Sequence, residues 1–239
     1  MSVAAPAPRT ALVTGGAKGI GAGIAGRLAT DGWRVIVADR DPAGAAPAGG
    51  RYAVCDVGDE ASVAALVGSI AAAEQRLDAL VCNAGFMIRK PIATLSLAEW
   101  SAVLTTNLTS TFLLVRAAES LLRAAKGAVV TIASSRARMS EPNTESYSAS
   151  KGGLVALTHA LAVSLGPDIR VNCISPGWIL TKGPDPTEQE HAFHPAGRVG
   201  RPPDIAALAA FLVGPDSGFI TGAEFVVDGG VTRKMIYPD

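Results

Sequence analysis

Short apolar runs alternate along the chain with longer segments in which apolar residues recur at helical spacing. Seven runs have the length and composition of buried strands: residues 10–13, 34–38, 52–55, 79–82, 128–133, 170–174 and 224–227. Helical periodicity predicts helices over 20–30, 60–74, 147–165 and 203–213, and two helical stretches within 97–125 that meet near Asn107. Proline and glycine in 41–50 predict a second connection without a helix, and residues 176–201 are predicted to be irregular.

This alternation of strands and helices predicts the fold class. Right-handed βαβ units combine into an α/β fold, a doubly wound seven-stranded parallel sheet with helices on both faces. Neither a repeat nor a linker interrupts the pattern, so residues 10–239 are predicted to form a single domain behind a flexible N-terminal tail at 1–9. Ligands bind such sheets beyond the carboxyl ends of the strands, where polar and glycine-rich motifs cluster in this sequence.

Composition narrows the class of partner. Apolar residues make up 49% of the 239 residues and charged residues 18%, as expected for a sheet that is covered on both faces. The 21 basic residues balance the 21 acidic residues, which argues against nucleic acid or an acidic membrane as a partner. The chain lacks the pattern of a secretory signal and an apolar run of about 20 residues, so a cytoplasmic location is expected.

A glycine-rich turn joins the first strand to the first helix. Residues 14–21 are Thr-Gly-Gly-Ala-Lys-Gly-Ile-Gly, in which Gly15, Gly19 and Gly21 allow a tight turn, close approach of a pyrophosphate and packing of the helix on the strand. The amino terminus of the helix then faces the phosphates. An ordinary helix-entry loop is the alternative, but the flanking strand and helix favour a dinucleotide site.

Asp39 ends the second strand, 18 residues after Gly21, where a carboxylate can accept hydrogen bonds from the adenosine ribose hydroxyls. Its negative charge repels a 2′-phosphate, so NAD is the predicted cofactor. Lys18 and Arg40 could attract that phosphate, which leaves NADP as the alternative.

Tyr147 and Lys151 lie four residues apart in a predicted helix, so they share one face. An ammonium near the phenol stabilises the phenolate and lowers the tyrosine pKa from its ordinary value near 10 toward neutrality. The pair is the strongest catalytic signal in the sequence. A surface pair on a helix is the alternative.

In this order, the motifs of the chain resemble those of the short-chain dehydrogenase/reductase family. The resemblance covers nearly the whole chain and implies a single-domain Rossmann fold with NAD(P)-dependent activity. The matching motifs are Thr14-Gly-x-x-x-Gly19-x-Gly21, Asp56, Asn83-Ala84-Gly85, Asn107, Ser135, Tyr147-x-x-x-Lys151, Pro176-Gly177 and Asp228-Gly229-Gly230.

The resemblance implies roles for a catalytic tetrad. Tyr147 is the general acid and base, and Lys151 binds the nicotinamide ribose and lowers the tyrosine pKa. Asn107 holds a water in the proton relay. Ser135 hydrogen-bonds the substrate oxygen; Ser134 competes for this role, but the second serine of such a pair is preferred.

Further residues are implied to bind the cofactor. Asp56 and Val57 face the adenine ring, Gly85 permits close approach, and Ile179 and Thr181 meet the nicotinamide amide and the phosphates. The complete predicted set is Gly15, Lys18, Gly19, Ile20, Gly21, Asp39, Asp56, Val57, Asn83, Ala84, Gly85, Tyr147, Lys151, Pro176, Gly177, Ile179 and Thr181. No metal is predicted.

The predicted function is the interconversion of a secondary alcohol and a ketone by hydride transfer, with Tyr147 exchanging the hydroxyl proton. A non-catalytic NAD-binding sensor of the same fold is the alternative, since fold alone does not fix function. Sugar-nucleotide epimerases of the extended relatives need an added domain, for which 239 residues leave little room. In relatives the helices at 107–125 and 147–165 pair across subunits, which implies a homotetramer or homodimer.

Substrate choice is expected to depend on the segment after Ser135 and on residues 182–200, a predicted lid. Arg136 and Arg138 are predicted to form a polar or charged pocket rim for a small-molecule substrate, with two solvated arginines as the alternative. His191 and His194 are expected on the lid surface and not at a metal.

Overall fold

The computed structural model describes residues 8–235, so the predicted tail lies outside this range except for Pro8 and Arg9. Its strands are β1 (Thr10–Thr14), β2 (Arg34–Asp39), β3 (Arg51–Val54), β4 (Ala79–Cys82), β5 (Ala128–Ile132), β6 (Arg170–Pro176) and β7 (Glu224–Val227). They form one parallel sheet in the order β3-β2-β1-β4-β5-β6-β7. The predicted sheet is confirmed.

Helices cover both faces of this sheet. They are α1 (Gly19–Thr30), α2 (Glu60–Ala73), α3 (Leu97–Leu104), α4 (Ser110–Ala125), α5 (Glu145–Leu165), α6 (Glu188–Phe193) and α7 (Pro202–Val213). A loop without a helix joins β2 to β3, as predicted. None of the helices between residues 8 and 235 combines the length and the apolar character that spanning a bilayer requires.

Alternation along the strands divides the core into two layers. In β1, Leu12 packs with the apolar faces of α2, α4 and α5, whereas Ala11 and Val13 pack with α1 and α7. All three side chains are fully buried. Burial on both faces explains why the strands are continuous apolar runs and not alternating ones.

β1 lies in the middle of the sheet although it comes first in the chain. It pairs with β2 on one side and β4 on the other, and the Thr10 amide donates to Asp78 Oδ2 at 2.8 Å, 68 residues away. The chain therefore builds one half of the sheet out to β3 and then returns to build the other half. This reversal opens a crevice between the carboxyl ends of β1 and β4.

Two local features differ from a plain helix-and-loop pattern. The prediction of an irregular segment at 176–201 is wrong at α6, where Thr187 and Glu190 form a capping box that begins a short helix. Between α3 and α4 the chain forms a π-helical turn, Thr105–Thr109, which contains the buried Asn107. The two predicted helical stretches thus meet where the sequence indicated, through a turn of wider pitch.

Candidate active site

A cleft of about 1180 Å³ lies across the carboxyl ends of the strands. All the predicted site residues line it except Gly21 and Asn107, which are buried. Its walls come from segments spread along the chain, from Gly15 to Thr232. Among the described residues, no group of three His, Cys, Asp or Glu side chains is arranged to hold a metal ion.

The glycine-rich turn lines one end of this cleft. Gly15 and Gly19 have φ angles of 63° and 59°, in the left-handed region that glycine adopts without strain. A Cβ on Gly21 would lie 2.2 Å from the Gly15 carbonyl oxygen, so the third glycine is required for packing of α1 against the turn. No side chain in the described part of the chain caps the first turn of α1, so its N–H groups are open to an anion. The turn therefore fits a pyrophosphate.

Asp39 is held at the edge of the same end of the cleft. Its Oδ2 accepts a hydrogen bond from the Ala17 amide at 3.2 Å, and its Oδ1 accepts one from the Asp41 amide at 3.2 Å. Lys18 and Arg40 are exposed and line the cleft beside it. The carboxylate that favours NAD and the two cations that could favour NADP thus all line the cleft.

Asn83 connects the end of β4 to the glycine-rich turn. Its Nδ2 donates to the carbonyl oxygens of Thr14 and Gly15, both at 3.0 Å, while its backbone N–H donates to Thr14 Oγ1 at 3.1 Å. These bonds fix the crevice between β1 and β4. Beyond it, a Cβ on Gly85 would lie 3.1 Å from Asn107 Oδ1 and 3.5 Å from Lys151 Nζ, so a side chain at this position would crowd Asn107.

Tyr147 and Lys151 meet at the other end of the cleft, on the first turns of α5. Lys151 Nζ donates to the Ile132 carbonyl oxygen at 2.7 Å and lies 5.5 Å from the centroid of the Tyr147 ring. Burial lowers the pKa of Lys151 to about 8. Burial also raises the pKa of Tyr147, an effect that a hydrogen bond with Ser134 and the charge of Arg136 partly oppose.

Both serines line the cleft, but their positions favour Ser134 over the predicted Ser135. Ser134 is buried and its hydroxyl is in hydrogen-bonding contact with the Tyr147 side chain, whereas Ser135 begins the next short turn. Ser134 has an extended backbone, so the side chains of the two serines point in different directions. The chain spacing carried this signal: Ser134 is 13 residues before Tyr147, the commonest spacing in the family that the motifs resemble, and Ser135 is 12.

Asn107 lies behind the cleft wall, and both polar atoms of its side chain are hydrogen-bonded. Its Oδ1 accepts from the Phe86 amide at 2.9 Å, and its Nδ2 donates to the Phe86 carbonyl at 2.9 Å and to Ser150 Oγ at 3.0 Å. The residue therefore joins the π-helical turn to the segment after β4 and to α5. It stands behind the catalytic pair and does not face the open cleft.

The two arginines after the serines lie on different sides of the loop. Arg136 lines the cleft and pairs with Glu141. Arg138 instead pairs with Glu224 and lines a separate hollow of about 470 Å³, so its prediction as part of the pocket rim is wrong. Arg136 lies within the short 3₁₀ turn Ser135–Ala137 and Arg138 directly follows it, so the two side chains leave the turn in different directions.

The predicted lid also places a histidine differently from the sequence prediction. His194, expected on the surface, is buried and lines the cleft. Its Nδ1 donates to the Glu190 carbonyl at 2.9 Å, since a carbonyl can only accept, and its ring packs near Trp178 and Phe193. His191 is partly exposed and accepts from the Val199 amide. The grouping of Trp178, Phe193 and His194 could not be predicted, because α6 was not predicted.

The parallel sheet, the glycine-rich turn and the pair of Tyr147 with the buried Lys151 define a class of protein: a Rossmann-fold oxidoreductase. Comparison with known proteins shows the family within this class. A family model described as "Enoyl-(Acyl carrier protein) reductase" matches residues 15–232. The chain belongs to the short-chain dehydrogenase/reductase family, and the predicted resemblance is confirmed.

Individual relatives match along almost their whole length. An uncharacterized oxidoreductase of Thermotoga maritima is 45% identical, with 97% of this chain and 98% of that protein covered. D-threitol dehydrogenase of Mycolicibacterium smegmatis is 40% identical, with 95% and 94% covered. The crystal structure of 3-ketoacyl-(acyl-carrier-protein) reductase from Brucella melitensis, complexed with NADH, is 31% identical with a TM-score of 0.87 and coverages of 94% and 98%.

Proposed function

We propose that this chain interconverts a secondary alcohol and a ketone with NAD(P) as the hydride carrier. The observation that supports this most is the convergence of Tyr147, Ser134 and Lys151 at one end of a cleft whose other end fits a dinucleotide. Relatives named as dehydrogenases, and one whose structure contains NADH, are consistent with it. When bound, the nicotinamide ring supplies the acceptor or donor of the hydride.

In the direction of oxidation, Ser134 and Tyr147 hold the substrate hydroxyl between them, with Tyr147 in its phenolate form so that it can accept a proton. Tyr147 removes the hydroxyl proton as the hydride leaves the adjacent carbon, and in reduction it returns the proton. Ser134 is buried and Tyr147 is partly buried, so little bulk water reaches this transfer, which strengthens every charge interaction there.

Lys151 supports the tyrosine in two ways. Its ammonium lies close to the ring and stabilises the phenolate that forms when the proton leaves. Only one of its three donors is used by the Ile132 carbonyl, so the others can bind the ribose hydroxyls of the cofactor. Asn107 acts from behind, since its three hydrogen bonds set the position of α5 relative to the π-helical turn, where a water of the proton relay would lie.

Three further points of the proposal concern binding. Asp39 gives a preference for NAD, because its carboxylate can accept from both ribose hydroxyls and repels a 2′-phosphate. The segment 182–200 closes over the substrate as a lid, with His194 on its inner side. The chain forms a homodimer or homotetramer through α4 and α5, which present exposed Phe112 and Val163.

The decisive test is the Tyr147→Phe protein, which keeps the ring and loses only the hydroxyl. We expect its turnover of any alcohol that the wild type oxidises to fall by at least about 10²-fold, the usual contribution of a positioned acid or base. Its affinity for NADH, measured by fluorescence titration, should stay close to that of the wild type. Near-normal turnover would contradict the mechanism, and a wild type that binds NADH without oxidising any alcohol would support the sensor.

A further inference from the structure

Arg136 differs from the other charged side chains at the substrate end of the cleft in that part of its guanidinium has no partner. Its side chain is 19% exposed, and Nη2 pairs with Glu141. Nη1 is shielded from solvent and makes no hydrogen bond within the described residues. A buried donor that is left unpaired destabilises the fold, so a purely structural role does not account for this arrangement.

The charge of this guanidinium is also not neutralised. Glu141 is shared between Arg136 and Arg89, so two cations and one anion leave one net positive charge at this wall. Asp228 lines the same cleft and is negatively charged, but its carboxylate accepts from the Gly230 and Thr232 amides, both at 2.8 Å, and forms no ion pair with Arg136 within the described residues. The wall is thus positive where Arg136 lies.

The same positive wall is next to the reacting group. Arg136 follows Ser134 by two residues and is close enough to Tyr147 for its charge to lower the pKa of the phenol. Met87, Met139 and Trp178 line the same cleft. We therefore expect a ligand of this cleft to combine an apolar body with an anionic group close to the carbon that reacts.

We propose that Arg136 selects secondary alcohols, or the matching ketones, that carry a carboxylate near the reacting carbon. Guanidinium and carboxylate form short, charge-assisted hydrogen bonds of matching geometry, so Nη1 is the natural donor to such a group. This inference deepens the proposed function and rests on it for the reaction. The alternative is that Arg136 only holds the loop at 135–141 in place through Glu141.

The experiment measures binding, so that it does not depend on turnover. Cyclohexanecarboxylate and cyclohexanecarboxamide, which differ in charge but hardly in shape, are titrated by calorimetry into the protein saturated with NADH. We expect the wild type to bind the carboxylate at least about tenfold more tightly than the amide, the effect of one good charge-assisted hydrogen bond. Arg136→Gln should remove this ratio, and Arg136→Lys should keep part of it.

Two further variants separate selection from structure. Arg138→Gln is the matched control, because Arg138 pairs with Glu224 outside the cleft, and it should keep the wild-type ratio. Glu141→Gln removes the neighbouring negative charge, so it should tighten carboxylate binding, whereas a loop held together by the ion pair would bind it more weakly. Equal binding of the two probes by the wild type, no binding of either, or an equal loss in Arg138→Gln overturns the inference. Turnover that fails altogether would instead count against the proposed reaction.

Discussion

At the scale of single residues, the site depends on groups whose burial changes their acidity. Lys151 is 4% exposed and has one protein acceptor, the Ile132 carbonyl, so its charged form is destabilised relative to water. Tyr147 is partly buried, and the loss of water around it disfavours the phenolate. The Lys151 ammonium favours the Tyr147 phenolate, but burying this ammonium lowers the stability of the fold. The site therefore gains reactivity at the expense of stability.

Lys151 should therefore leave a signature in the pH dependence of stability. Its pKa is about 8 in the folded chain and 10.5 in the unfolded one, so between these values the unfolded chain binds more protons. The free energy of unfolding then rises with pH, by up to about 3 kcal/mol for this one group. We expect the difference in unfolding free energy between wild type and Lys151→Met to rise by this amount from pH 8 to pH 10.5 in urea titrations. A flat or falling difference would contradict the buried ammonium.

Asp39 makes a second prediction at this scale. Asp39→Ser removes the charge that repels a 2′-phosphate and leaves Lys18 and Arg40 beside the site. The ratio of kcat/KM for NADP to that for NAD should rise by about 10-fold or more, in line with the loss of one close charge repulsion. The matched control is Asp41→Ser, since Asp41 follows Asp39 but does not line the cleft. An unchanged ratio in Asp39→Ser would exclude Asp39 from cofactor choice.

The residue types of the site could be predicted from the sequence, but the direction of individual side chains could not. Tyr147 and Lys151 follow from helical spacing, because residues four apart share a face whatever the surroundings. Ser134 and Ser135 are neighbours of the same type, and only the extended backbone at Ser134 decides which hydroxyl meets Tyr147. Arg136 and Arg138 are also of the same type, and only the local backbone of the 3₁₀ turn Ser135–Ala137 decides which of them faces the cleft.

At the scale of elements, α1 depends on glycine at some positions and merely tolerates it at others. A Cβ at Gly21 would lie 2.2 Å from the Gly15 carbonyl oxygen and 2.6 Å from Asn83 Nδ2, so the helix would have to move off the turn. A Cβ at Gly26, on the same helix, meets nothing within 4 Å. Gly26 is therefore a matched control for a substitution at Gly21.

Gly21→Ala and Gly26→Ala should change stability in opposite directions. Gly26→Ala is expected to raise the free energy of unfolding by about 0.5–1 kcal/mol through helix propensity alone. Gly21→Ala should lower it by more than that and should reduce the rise in melting temperature that NADH causes. Thermal unfolding with and without NADH measures both effects. Equal behaviour of the two variants would show that the turn does not need its third glycine.

Element boundaries could largely be predicted, with α6 as the exception. The other helices and the strands bury an apolar face, and this burial produces the periodicity that predicted them. α6 has six residues and none of them is buried, so it produces no such pattern; its capping box was the only local signal. Its position decides where Phe193 and His194 lie, which is why the aromatic side of the cleft was not predicted.

At the scale of the whole molecule, the sheet could be predicted because both of its faces are buried. The association of subunits leaves no comparable hydrophobic pattern in the sequence. The strand order follows from right-handed connections and the central place of the first strand. Exposed apolar side chains remain on the surface, among them Val163 on α5 and Phe112 on α4. Isolated apolar residues are normal on a surface, so a mutation has to test whether these two mark an interface.

Val163→Asp should dissociate the assembly if α5 pairs across subunits. The side chain is 85% exposed in the single chain, so the substitution has little effect on the fold but places a charge at the proposed interface. Light scattering should then report a lower mass than for the wild type. Val54→Asp is the control, since Val54 is 63% exposed on β3, at an edge of the sheet away from α5, and should leave the mass unchanged. A monomeric wild type would contradict the proposal.

The central place of β1 has a consequence for synthesis on the ribosome. β1 is made first, but its neighbour β4 and the carboxylate of Asp78 that receives the Thr10 amide are made 68 residues later. Until then one side of a strand with an apolar centre has no partner, and its unpaired edge can join another chain. Translation that pauses before β4 would therefore prolong the period in which the nascent chain is open to aggregation.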